Sequence, residues 1–93
     1  MYVTIAEKRL QYVVADNVQD DFSTLEFHDG EPGRPGTDLV AGLTWYDRPS
    51  SPLLVHLPTE VDYAFLQALV RFAVDWIATN DPHVRLQLDA PRT

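Results

Sequence analysis

From Thr59 to Thr79 the chain reads TEVDYAFLQALVRFAVDWIAT, and its apolar residues recur three and four positions apart. That is the period of a helix lying on a core, and it limits this chain more than any other feature. Pro58 ends whatever precedes it, Thr59 is a good N-cap, and Asp62 follows three residues later in the manner of a capping box. Glu60 and Asp62 also set negative charge against the positive end of the helix dipole. Asn80-Asp81-Pro82 supplies the stop. The sequence predicts one long amphipathic helix over about residues 59–79.

On a wheel of about 100° per residue, Glu60, Ala64, Gln67, Arg71, Asp75 and Ala78 share one narrow side. Val61, Tyr63, Phe65, Leu66, Leu69, Val70, Phe72, Val74, Trp76 and Ile77 fill the remainder. A helix lying on one sheet needs an apolar arc of only about 100°. Something must cover the surplus: the chain's own sheet and loops, a second copy, or another protein. Tyr63 and Ile77 are the helix positions expected to meet a partner.

The rest of the chain alternates with period two. Residues 2–6 are short and β-branched, and Leu10, Tyr12 and Val14 alternate with Arg9, Gln11 and Val13. Ala6, Leu10, Val13 and Val14 also share a helical face, so a helix over residues 5–15 competes with two strands there. FSTLEFH puts Leu25 and Phe27 on one face. DLVAGLTWYD sets Leu39, Ala41, Leu43 and Trp45 against Val40, Gly42, Thr44 and Tyr46, with Gly42 suggesting a bulge or a close backbone contact. LLVHL is a further short strand, and HVRLQLD, residues 83–89, closes the chain with Val84, Leu86 and Leu88 inward. Strands, one long helix and a last strand give an α+β fold of two layers. Its antiparallel sheet has about five or six strands with the helix packed across it. No segment repeats at a fixed period.

Between the third and fourth of these β segments, HDGEPGRPGTD holds three of the four glycines. Two Gly-X-Y triplets cannot form a collagen helix, and Gly30, Gly33 and Gly36 lack both the dinucleotide spacing and a following Lys-Ser/Thr. The segment reads as a stiffened hairpin connection. It is longer than a hairpin needs, and Arg34 stands at its tip among acids, which makes it a contact candidate.

Ninety-three residues make one domain, spanning residues 1–93. A chain this short buries only roughly 60–65% of the surface it would expose unfolded. Fourteen acids against seven bases give a net charge of −7. Such a surface repels phosphates and anionic lipid, so neither nucleic acid nor a membrane is an expected partner, whereas a basic protein surface would attract it. Val61 to Ala78 is interrupted by Asp62, Gln67, Arg71 and Asp75, too polar for a membrane span. There is no cysteine for a disulfide or a thiolate zinc site. MYVTIAEKRLQYVV lacks the pattern of a secretory signal, and the expected setting is cytoplasmic. Six of the seven bases are arginine, a bias expected of GC-rich bacterial or phage coding.

Catalytic signatures are not found. Ser23, Ser50 and Ser51 lie in no Gly-x-Ser-x-Gly elbow, and the last two sit between prolines in an apparent turn. His28-Asp29-x-Glu31 brings three possible metal ligands together, but there is no His-x-His or His-x-x-x-His pair. His28, His56 and His83 fall on the polar faces of expected strands. No enzyme activity, metal or cofactor is expected. The expected role is a protein-binding module. It would be a small acidic inhibitor, of the immunity or anti-defence kind, that occludes a basic surface of a larger, nucleic-acid-handling partner. The alternatives are a self-associating structural or assembly protein, dimeric through the surplus helix face, and a small-ligand or metal-dependent enzyme. The candidate contact residues are Asp16, Asp20, Asp21, Asp29, Glu31, Arg34, Trp45, Tyr46, Tyr63 and Ile77.

Overall fold

Alternation becomes sheet throughout the first half of the chain. In the computed structural model, which describes residues 1–29 and 38–88, β1 (Tyr2–Ile5), β2 (Lys8–Asn17), β3 (Phe22–Asp29) and β4 (Asp38–Tyr46) run antiparallel in sequence order. β5 (Ser50–Pro52) leaves this sheet, and β6 (Leu54–His56) returns to it beside β4. The helix α1 (Tyr63–Asn80) packs across one face, and β7 (Arg85–Gln87) pairs in parallel with β5 as a separate two-stranded ladder. The fold is α+β, with a five-stranded antiparallel sheet, and the competing helix over residues 5–15 does not form.

The register follows from burial on one side only. Leu25 stands opposite Val14 and Leu43, and Phe27 opposite Tyr12 and Ala41, so one row after another turns its apolar side to the helix. From the helix, Phe65, Leu69, Ala73 and Ile77, each four residues apart, enter that core beside Leu10, Leu43 and Trp45. The flanks of the wide apolar arc are partly covered by the chain itself. Phe72 meets Tyr12 and Phe27 edge-on at 5.2 and 5.8 Å, and Trp76 lies 5.8 Å from Trp45.

Four local expectations need correction. The helix starts at Tyr63, not near Thr59, because Asp62 is itself the cap and its Oδ1 accepts from the Phe65 amide at 3.1 Å. That leaves Val61 on the extended approach, packed against the core. The bulge of β4 is not at Gly42. Phe27 faces Ala41 while His28 faces Leu39, so Val40 is the extra residue, and it turns inward while Leu39 turns outward. The last strand is three residues long, not seven: His83 lies in a turn, and Leu88, beyond the strand, is 53% exposed. Ser51 is not in an open turn but fully buried in β5, where its hydroxyl accepts from the Tyr46 amide and donates to the Pro52 carbonyl.

Candidate functional site

The chain from β2 into β3 turns through Val18-Gln19-Asp20-Asp21. The Asn17 side chain accepts from the Asp20 amide at 3.0 Å, and Asp21 takes a left-handed φ of 54°. The Asp21 carbonyl then accepts from the Asp47 amide at 2.7 Å, which ties this turn to the end of β4. Trp45, two residues before Asp47, donates its indole N–H to Asp81 Oδ2 at 2.9 Å, fixing the end of α1 against the same strand. Three sequence-distant turns therefore meet at one end of the sheet. They enclose a recess of about 300 Å³ whose walls include Asp16, Asp21, Asp47, Asp81, Ser23 and His83.

The recess is acidic by construction. Asp16 accepts from the Ser23 hydroxyl at 2.6 Å, and Asp47 pairs with His83. Asp81 stands at the C-terminal end of the helix, where the dipole is already negative, and the last turn carries no basic residue. Asp20 is exposed on the hairpin turn, and Val18 beside it is 85% exposed, an apolar group at the rim of an anionic hollow. Among the described residues, His83 is the one basic-capable side chain in the wall.

The structure thus gathers Asp16, Asp20 and Asp21 and adds Asp47, Asp81 and His83, which the sequence reading misses. Nothing in the local pattern around Asp47 or Asp81 marks their meeting, because it depends on the indole bond from β4 to the helix end. Asp29 is elsewhere. It pairs with Lys8 at 3.4 Å at the opposite end of the sheet, beside a larger cavity of about 820 Å³ near the start of α1. That cavity includes Asp29 and Asp38, which bracket residues 30–37, and Glu31 and Arg34 lie outside the described residues.

Two of the proposed contact residues are not surface groups at all. Trp45 and Ile77 are each 1% exposed, Trp45 because it continues the inward phase of Ala41 and Leu43, Ile77 because it is the last residue of the buried helical stripe. Tyr63 is 72% exposed at the first turn of the helix, and Tyr46 is half-buried on the far face of the sheet, edge-on to Phe22 with the Arg48 guanidinium 4.6 Å from its ring centre. Tyr46 and Tyr63 belong to different surfaces.

Among the described residues, no three His, Asp or Glu side chains are grouped to hold a metal ion, and no helix is long and apolar enough to cross a membrane. The chain matches no protein-family model, no curated protein and no solved structure.

Proposed function

We propose that this chain is a non-enzymatic binding module whose acidic end receives basic side chains from another protein and so occludes that partner's basic surface. The observation carrying the proposal is the convergence of Asp16, Asp21, Asp47 and Asp81 on one recess. Carboxylates lining one recess repel one another, and a guanidinium or ammonium from outside relieves the repulsion. Arginine fits best, because its planar fork can bond two carboxylates at once. Val18 at the rim would add an apolar contact beside the charged one. Surfaces that bind nucleic acid are basic, so a nucleic-acid-handling protein is the partner class that this end suits.

The test is a titration of the isotope-labelled chain with an arginine-rich peptide, followed by amide chemical shifts at low and at moderate salt. Shifts concentrated at residues 16–23, 47 and 81–83, weakened by salt and by Asp16→Asn with Asp21→Asn, are expected. Equal shifts around Asp29, Glu60 and Asp62, or binding indifferent to both substitutions, would overturn the assignment.

A further inference from the structure

The helix covers one face of the five-stranded sheet, and among the described residues no element packs on the other. The strand registers define that open face. Val13, Glu26, Gly42 and His56 form one row across it, and Ala15, Thr24, Thr44 and Leu54 the next. Its composition departs from that of the molecule. In a chain with fourteen acids, Glu26 is the one carboxylate on this face among the described residues, and it lies 3.3 Å from His28 Nε2. Arg9 balances it, stacked 5.3 Å from the Tyr2 ring centre. The remaining carboxylates of the sheet lie at its strand ends, with Asp16 at one and Asp29 and Asp38 at the other. The face also exposes apolar surface, with Tyr2 and Val13 each 38% exposed and Leu54 46%. At Gly42 it has no side chain to obstruct a flat approach.

We propose that this open sheet face is the contact between two copies of the chain, related by a two-fold axis. Charge is the first argument. Copies carrying −7 each repel wherever their carboxylates meet, and this face is where two of them can approach with almost none. It is also self-complementary. Arg9 is one strand over and four residues along from the Glu26 row, so a two-fold axis running across the strands brings each Arg9 to Glu26 of the second copy. The strands of the two sheets then cross at about 40°, close to the alignment usual for stacked sheets. Area sets the strength of this contact. Strands of 4, 10, 8, 9 and 3 residues give a projected face of roughly 500 Å². The Arg9–Glu26 axis overlaps the β1–β3 half of it, roughly 250 Å², so the dimer is a weak one, below the ~800 Å² per partner of a standard interface. The acidic recess is built on the other ends of β2 and β3, away from the overlapping half, and stays free in this dimer. Self-association and binding of basic peptides therefore stand or fall separately.

The experiment is sedimentation velocity on the full chain from about 1 µM to about 500 µM. A concentration-dependent dimer is expected, and Val13→Glu or Tyr2→Glu should raise its dissociation constant by about tenfold or more while leaving the far-ultraviolet circular dichroism unchanged. Arg9→Glu and Glu26→Arg should each weaken the dimer, and the two together should restore it, because each copy offers both charges. A chain that stays monomeric across the range overturns the proposal. So does a dimer that survives both Val13→Glu and Tyr2→Glu, or one lost instead on Tyr63→Glu, since Tyr63 lies on the helix layer.

Discussion

Asp81 stabilises this fold through one bond and opposes it through its charge, and the two effects can be separated. Its Oδ2 accepts the indole N–H of Trp45 at 2.9 Å, and that indole is 1% exposed. Asp81→Ala leaves the N–H buried without an acceptor or access to water, at a cost of about 1–3 kcal/mol. The same change removes a carboxylate from the negative end of a helix whose last turn carries no basic residue, which returns about 0.3–1 kcal/mol. A net loss of about 1–2 kcal/mol is expected. Asp81→Asn keeps an oxygen acceptor and loses the charge, so it should stay within about 0.5 kcal/mol of the parent. Trp45→Phe removes the N–H and leaves roughly 40 Å³ unfilled, about 1 kcal/mol at ~24 cal/mol per Å³. In that background Asp81→Ala should cost nothing or stabilise slightly. Urea unfolding followed by far-ultraviolet circular dichroism reads all four, with a midpoint temperature drop of about 4–8 °C per kcal/mol as the thermal counterpart. If Asp81→Ala is equally harmful with and without Trp45→Phe, or Asp81→Asn matches it in cost, the bond is not what holds the helix end to β4.

Three further sets of substitutions test local claims. Asp62→Ala should cost about 1 kcal/mol in urea unfolding and Thr59→Ala close to nothing, because Asp62 and not Thr59 accepts the Phe65 amide. Ala6→Asn with Glu7→Gly should raise stability by about 1 kcal/mol, since Ala6 and Glu7 hold left-handed φ values of 48° and 68° in the tight turn joining β1 to β2; no gain in thermal midpoint would refute the strain. Gly42→Ala should be neutral or stabilising by about 0.5 kcal/mol, because the added Cβ meets only Thr24 Cγ2, at 3.6 Å. A loss of more than about 1 kcal/mol in the unfolding midpoint would show that the close contact expected at this glycine exists after all.

What the sequence disclosed, it disclosed through period. The stripe Phe65, Leu69, Ala73 and Ile77 and the alternation of β2 through β4 are local patterns set by which side faces the core, so helix, meander and layer order could all be read from them. Helix onset was less legible because two competent caps, Thr59 and Asp62, stand three residues apart, and the packing of Val61 on an extended approach decides between them. The turn at Ala6-Glu7 carries none of the Asn-Gly chemistry that normally marks a two-residue hairpin. The ladder of β5 with β7 rests on contacts such as the Arg85 amide to the Pro49 carbonyl, 2.9 Å in space and far apart along the chain.

The candidate site divides along the same line. Asp16, Asp20 and Asp21 are neighbours in one hairpin and could be nominated from composition alone. Asp47 and Asp81 join them only because Trp45, nominated as a surface aromatic, is instead the buried post to which the helix end is bonded. The acid that the sequence could not place is therefore held by the aromatic that it misplaced. This coupling also bears on how the acidic end would work. Three of its four wall carboxylates already have a hydrogen-bond donor inside the molecule, in Ser23, His83 or Trp45. Each is an ionised acceptor with further oxygen lone pairs to offer. A basic side chain entering the recess would meet carboxylates whose positions are already fixed, so little side-chain ordering remains to oppose binding. Under that reading, Ser23→Ala, which frees Asp16 without touching its charge, should weaken binding of an arginine-rich peptide mainly through faster dissociation, and leave the salt dependence of association unchanged. An equal loss in association rate would mean that charge alone, without preorganisation, accounts for the recess.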